Sequence, residues 1–195
     1  MENLPGKWWR HVIINTLGSW LHGAPRGFRS RRHRIHSSGD YKNPPPPDEH
    51  AGLYHYQLAQ ASAPVEIEVD LREIVGRAFC DALQDAGHRV LVGAVGQKHS
   101  HSIVELPDNI IAVRAIVGDA KRIASRAVKK WMPGRVWSHG GEYRRIKDDH
   151  HLTNAYDYIF DAQEEDAWVW ASEEGERIRT ALEHLYPRRC HSRRR

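Results

Sequence analysis

Residues 89–106 read R-V-L-V-G-A-V-G-Q-K-H-S-H-S-I-V-E-L, and they carry the clearest structural pattern of the chain. Arg89 is followed by six apolar or small residues, and the segment 89–95 is typical of a buried strand. Gly96, Gln97 and Lys98 carry a turn signal, and a second strand pattern begins at His99. Strands joined by so short a turn lie antiparallel. The stretch therefore predicts a β-hairpin.

Helical patterns flank this hairpin on both sides. Apolar residues at helical spacing run over 71–86, with Asp70 as the predicted N-cap, Glu73 in capping-box spacing and Gly87 as the end. A second pattern follows the hairpin and ends before Pro133. Each pattern has an apolar stripe, so each predicts a helix packed on the sheet.

The remaining elements complete the predicted order β-α-β-β-α-β-α. They are a first strand over 11–16, an interrupted strand over 136–146, a helix over 149–165 and a charged helix over 172–185. This order predicts an α+β fold of the ferredoxin-like type, with a four-stranded antiparallel sheet and helices on one face. That fold hosts many functions and supports no chemistry by itself.

The length of 195 residues fits one domain with appendages. We expect a main domain over 1–170 that includes a long polar insertion over 29–64, broken by four consecutive prolines. A charged helix and a basic tail follow over 171–195. Two cysteines without zinc-ligand spacing, and no apolar run near the ~20 residues of a membrane span, predict a cytoplasmic protein without membrane segments.

The charges are segregated along the chain, although the formal net charge is only +4. Basic clusters favour a polyanionic partner, and a solvated surface with a disordered tail is the alternative. The predicted phosphate contacts are five residues of the second helical pattern, Lys121, Arg122, Arg126, Lys129 and Lys130. A second choice is the early cluster Arg26, Arg29, Arg31 and Arg32.

His99 and His101 are candidate metal ligands because residues two apart on a strand point to the same face. Ile103 shares that face, so the face is not fully solvated. With 14 histidines in the chain, chance alone gives about one such spacing, which makes the pair weak by itself. The alternative is a pair of edge histidines that bind water or carbonyl groups.

Tyr158 is the candidate nucleophile on the helix over 149–165. At about 100° per residue, Tyr156 falls in the apolar stripe with Leu152, whereas Tyr158 falls on the polar flank. A tyrosine hydroxyl beside a metal suggests phosphodiester chemistry. The alternative is an ordinary tyrosine at the boundary between core and solvent.

Several motifs in one order resemble the single-tyrosine HUH transposases, the insertion-sequence two-hundred type and the REP-associated tyrosine transposases. The segments are H-V-I-I-N-T-L-G-S-W-L-H-G-A-P-R-G-F, G-Q-K-H-S-H-S-I-V-E-L-P, P-G-R-V-W-S-H-G-G-E-Y and Y-D-Y-I-F-D-A-Q-E-E-D-A-W-V-W. Together they extend from about His11 to Trp170. The resemblance covers most of the chain, and an ordered set of motifs is more specific than one H-x-H.

The resemblance implies cleavage and rejoining of single-stranded DNA, with hairpins at element ends. His99 and His101 would hold Mg²⁺ or Mn²⁺, and Tyr158 would form a 5′-phosphotyrosine link. Such enzymes are usually homodimers. The chain departs from the family at Ser100, where a bulky apolar residue is usual, and at Ala162, where a third ligand is usual. Gln163 and Asp161 flank Ala162 and are the candidate replacements.

A second hypothesis is a weakened or domesticated relative that binds nucleic-acid hairpins without cutting them. Ser100 and Ala162 favour that hypothesis, whereas the retained His99, His101 and Tyr158 favour the enzyme. A structural zinc protein is a third reading, and it would need more than two histidine ligands.

Overall fold

A computed structural model of the chain describes residues 3–21, 23–24, 37–38, 45–46, 48–60 and 63–186. The strands are β1 (Lys7–Asn15), β2 (Val90–Val95), β3 (His99–Pro107), β4 (Glu142–Arg145) and β5 (Trp168–Ala171). The helices are α1 (Ala51–Gln60), α2 (Val69–Asp85), α3 (Ile110–Ala127), α4 (Asp149–Asp161) and α5 (Glu173–Leu185). The sheet has the order β4-β1-β3-β2-β5, and neighbouring strands are antiparallel.

The predicted hairpin is confirmed as β2 and β3. The backbone N–H of Gly96 donates to the carbonyl of His99 at 2.9 Å and closes the turn. β3 also pairs with β1, in a register that sets Ile13 opposite His101 and His11 opposite Ile103. The hairpin therefore occupies the middle of the sheet, and it places the histidine strand beside the first strand of the chain.

The α+β class and the antiparallel sheet are confirmed, with two differences from the predicted layout. The sheet has a fifth strand, β5, which pairs with β2. Helices also cover both faces: α2 and α3 pack with Val12 and Val104, whereas α4 and α5 pack with Trp9 and Ile103. The expectation of helices on one face is wrong because both sides of β1 and β3 carry apolar residues, and each side needs cover.

The ends of α2 show one correction and one confirmation. Glu68 is the N-cap residue and no side chain caps this end, so the capping box predicted from Asp70 and Glu73 does not form. Asp70 lies inside the first turn instead, where a carboxylate faces the positive end of the helix dipole. Gly87 ends the helix with φ of 77°, a conformation that glycine adopts without steric cost.

The predicted insertion contains one helix, α1, in which no residue is buried. Most of residues 29–47, including the predicted contacts Arg29, Arg31 and Arg32, lie outside the described residues, as does Arg26. At the other end, α5 joins the second core cluster through Leu182. No helix in the described ranges is both long and apolar enough to cross a membrane.

Candidate metal and tyrosine site

Three histidines meet on the face of the sheet that α4 covers. The Nε2 atom of His11 on β1 lies 3.0 Å from the Nδ1 atom of His101 on β3. The ring centroids of His99 and His101 are 5.0 Å apart. The β1–β3 register explains the cluster, because diagonal cross-strand neighbours on one face come within reach of long side chains. The sequence pair is thus joined by a third imidazole.

Helix α4 brings Tyr158 to the same cluster. Its ring centroid is 5.3 Å from that of His101, with the planes at 83°, and 6.3 Å from that of His11. The side chain stays accessible, since Tyr158 is 46% exposed. Tyr156 is 2% exposed in the core, and burial raises its pKa to about 12. The structure therefore places the two tyrosines as their helical positions predict.

The segment that follows α4 lies close to His99. The Oε1 atom of Gln163 lies 3.4 Å from Nε2 of His99, and its Nε2 donates to the carbonyl of Tyr158 at 2.9 Å. Asp161, the other candidate third ligand, instead accepts a hydrogen bond from Arg179 at 2.6 Å. Of the two residues that flank Ala162, Gln163 is the one the structure brings to the histidines.

Burial keeps the inner imidazoles neutral. It is the main cause that lowers the pKa of His11 to about 4 and that of His101 to about 3. Neighbouring positive charge, including that of Arg144, adds to both shifts. A hydrogen bond between two imidazoles needs one N–H and one lone pair, which two neutral rings provide. Neutral imidazole is also the form that binds a metal.

The side chains of this cluster are of types that bind divalent metal ions. Imidazole nitrogens, as in His11, His99 and His101, and an amide oxygen, as in Gln163, are donors that could hold such an ion. In the described part of the chain, no three His, Cys, Asp or Glu side chains form a ready group for a metal. An ion would therefore need a further donor, such as the amide oxygen of Gln163, water, or the carboxylate of Glu164, whose Oε1 lies 3.8 Å from Nδ1 of His99.

The sequence analysis identified neither His11 nor Arg144 as a residue of this site. β4 pairs with β1 so that Arg144 lies opposite His11, and its side chain is 60% exposed with an ion pair to Glu142 at 2.9 Å. His151 on α4 is also near enough to lower the pKa of His11. The alternation of Trp9, His11 and Ile13 was the only available signal for His11. Nothing in the sequence reports the strand pairing that brings Arg144 there.

The basic residues predicted from α3 do not join this cluster, because α3 packs on the other face of the sheet. Lys121 is 9% exposed, and its Nζ donates to the carbonyls of Ser138 and Gly140 at 2.7 Å each, so it is not a free surface contact as predicted. Arg122 pairs with Asp119 at 2.8 Å. The other three are exposed, namely Arg126, Lys129 and Lys130.

No model of a known protein family matches the chain, and no curated protein matches it. The chain is similar to a solved structure of a REP-associated tyrosine transposase bound to a REP hairpin. The two share 16% sequence identity over 80% of this chain and 68% of that one, with a TM-score of 0.38. At this level of similarity no residue role passes from one protein to the other, and the roles below rest on the geometry of this chain.

Proposed function

We propose that this protein is a transposase-type enzyme that cuts and rejoins single-stranded DNA through a tyrosine–DNA intermediate. The observation that supports it is the accessible ring of Tyr158, 5.3 Å from His101 in a cluster of three histidines. An exposed nucleophile beside neutral imidazoles is an arrangement suited to phosphoryl transfer. Tyr156 on the same helix is buried and so is not accessible to a DNA strand.

In the proposed reaction the Tyr158 oxygen attacks phosphorus in the DNA backbone. An ester bond forms between Oη and phosphorus, and the bond from phosphorus to the 3′ oxygen breaks. The phenol loses a proton and the leaving 3′ oxygen gains one, so no oxidant or reductant is needed. The 5′-phosphotyrosine conserves the energy of the broken ester, and attack by another 3′-hydroxyl then joins new ends.

His99 and His101 are the proposed ligands for Mg²⁺ or Mn²⁺, with His11 and Gln163 as the further donors. A bound divalent ion supplies positive charge that polarises the phosphoryl oxygens. The side chain of Gln163 contacts both elements, because its Nε2 donates to the Tyr158 carbonyl and its Oε1 lies 3.4 Å from Nε2 of His99. We propose that these two contacts hold the end of the tyrosine helix beside the histidine strand.

Arg144 is the proposed phosphate-binding residue of the site. Its guanidinium is mostly exposed, stands on the strand next to His11 and acts electrostatically on His11 and His101. An arginine can donate two parallel hydrogen bonds to a phosphate. We propose that Arg144 orients the phosphodiester towards Tyr158.

A second function is favoured by Ala162, whose methyl group cannot coordinate an ion. In this alternative the chain binds hairpin nucleic acid and leaves it uncut. The partners proposed from the family resemblance are single-stranded DNA with hairpins and a second copy of the chain. The homodimer stays a prediction, which light scattering would check.

The deciding experiment compares Tyr158→Phe with Tyr156→Phe. A labelled DNA hairpin with single-stranded flanks is incubated with protein and Mg²⁺ or Mn²⁺, and denaturing gels detect a covalent adduct. We expect the wild type and Tyr156→Phe to form the adduct, and Tyr158→Phe to lose it while still binding DNA. An adduct with Tyr158→Phe contradicts the assigned nucleophile. Absence of any adduct with the wild type supports the binding-only alternative.

A further inference from the structure

A pocket of about 400 Å³ opens on the face of the sheet that α3 covers. Its walls come from α3, from the loop over 135–140 and from Tyr143 on β4. We call it the α3–β4 pocket. Tyr143 pairs with Val12 of the first core cluster, whereas the next residue, Arg144, pairs with His11 on the opposite face. The pocket and the histidine cluster are therefore separate sites on either side of one edge strand.

Positive charge dominates the lining of this pocket. Arg114, Lys121, Arg122 and Arg135 all line it. Arg122 has an ion pair with Asp119, but no described carboxylate pairs with Arg114, Lys121 or Arg135 within 4.0 Å. Uncompensated cations gathered in a concave surface repel one another and attract anions. The imbalance indicates a site for a negatively charged group.

Lys121 has a fixed position in the wall of the pocket. The residue as a whole is nine-tenths buried, and its Nζ donates to the carbonyls of Ser138 and Gly140 at 2.7 Å each. Two hydrogen bonds to neutral carbonyls leave the third N–H of an ammonium group available. Arg135 adds to the same wall, where its Nε donates to the carbonyl of Trp137 at 2.9 Å. A buried charge without a counter-ion is costly, and an incoming anion would offset that cost.

The size and position of the pocket favour a nucleotide of a longer strand over a free phosphate ion. A water molecule takes up about 30 Å³ of liquid, so a cavity of 400 Å³ exceeds what one phosphate ion fills. Trp137 and Tyr143 also line the pocket and give it apolar surface that a bare phosphate ion does not need.

We propose that the α3–β4 pocket is a second nucleic-acid site, which holds a phosphodiester of the same strand whose other part reaches Tyr158. The strand crosses β4, with Arg144 on the histidine face and Arg114, Lys121 and Arg135 on the pocket face. This inference rests on the proposed function for the identity of the partner. It extends that function by assigning a distant anchor that binds DNA without taking part in cleavage.

The test measures DNA affinity of Arg114→Gln/Arg135→Gln by fluorescence anisotropy, with EDTA present so that cleavage does not intervene. The control, Arg77→Gln/Arg177→Gln, removes the same charge from two exposed arginines on α2 and α5. We expect the pocket variant to bind a flanked hairpin at least tenfold more weakly, with a salt slope lower by about 1, and the control to change less than twofold. Circular dichroism and the melting temperature verify that both variants are folded.

Equal affinities of the wild type and the pocket variant overturn the proposal, and so does an equal loss in the control. Calorimetry with inorganic phosphate and with a deoxymononucleotide tests for a small ligand. If the pocket substitutions abolish that binding and leave DNA affinity unchanged, the nucleic-acid assignment is wrong. The adduct assay separates the two proposals. If DNA binding depends on the pocket but no adduct forms, only the proposed cleavage is wrong. If an adduct forms and the pocket substitutions do not change DNA affinity, only the proposed anchor is wrong.

Discussion

The Nε2 atom of His11 lies 3.0 Å from the Nδ1 atom of His101, although 90 residues separate them in the chain. The contact crosses the β1–β3 pair at the centre of the sheet. It adds a third imidazole to the two that His99 and His101 supply. The side chain of Ala162, in the turn after Tyr158, has no atom that could act as a metal ligand. The first strand thus contributes to the candidate site.

Loss of His11 should weaken metal binding. We expect His11→Ala to raise the Kd for Mn²⁺ about tenfold, the lower end of what loss of a ligand-supporting group costs. Isothermal titration calorimetry measures this directly. His150→Ala is the control, because His150 is an exposed residue of α4 that contacts Asn154 and Tyr186. An unchanged Kd for His11→Ala would show that His11 only packs against His101.

Arg144 should affect cleavage more than stability. We expect Arg144→Gln to slow adduct formation about a hundredfold, since it removes a cation directed at the developing phosphoryl charge. The side chain is mostly exposed, so the melting temperature should stay the same. Arg145→Gln is the matched control, because the neighbouring residue points to the other face and stacks on Trp8. Equal rates for the wild type and Arg144→Gln would exclude this role.

The ion pair between the buried Glu105 and Arg89 should contribute to stability and to its dependence on pH. Glu105 is fully buried and accepts hydrogen bonds from Arg89 at 2.6 and 2.9 Å and from the backbone N–H of Leu4 at 2.7 Å. We expect Glu105→Gln to lower the free energy of unfolding by about 2 kcal/mol at pH 7, because Arg89 loses a charged acceptor for two hydrogen bonds, although it keeps its ion pair with Glu174. Urea titration measures it. Glu73→Gln, in an exposed pair, should cost at most about 0.5 kcal/mol.

The ion pair of Glu105 and Arg89 also makes the stability of the protein depend on pH in a predictable direction. Burial raises the pKa of Glu105, but the hydrogen bonds from Arg89 and Leu4 more than offset that effect, so the pKa lies below the ordinary value of 4.5. A lowered folded-state pKa contributes stability that is present above pH 4.5 and lost as the pH falls through the folded value. The stability gap between the wild type and Glu105→Gln should therefore narrow in acid. A constant gap from pH 7 to pH 3 would contradict this mechanism.

Two glycine substitutions should have opposite effects on stability. In Gly175→Ala the new methyl group would collide with the backbone of Leu91, and we expect a loss of about 1–3 kcal/mol. In Gly118→Ala the methyl group meets nothing within 4 Å on α3, and we expect a gain of about 0.5–1 kcal/mol. Thermal unfolding followed by circular dichroism checks both. A stable Gly175→Ala variant would show that α5 is displaced easily from the sheet.

Sequence patterns predicted most elements because each pattern reflects a local property. The hairpin, α3 and α4 follow from periodicity, and the position of Tyr158 on the flank of α4 follows from helical geometry alone. β5 was missed because W-V-W-A is too short to separate from a loop without its partner β2. The capping prediction for Asp70 failed because the N-cap position depends on where the chain enters the helix, which is two residues earlier, at Glu68.

Local patterns were sufficient to predict the α+β class, the central hairpin, the shared face of His99 and His101 and the exposed position of Tyr158 on its helix, because these depend on spacing within one strand or one helix. The folded chain alone shows that His11 contacts His101, that Gln163 contacts His99 and that Lys121 is buried beside a basic pocket. Each of these contacts depends on strand register and on which face a helix covers. Register and face are set by the packing of distant segments, and no local pattern encodes them.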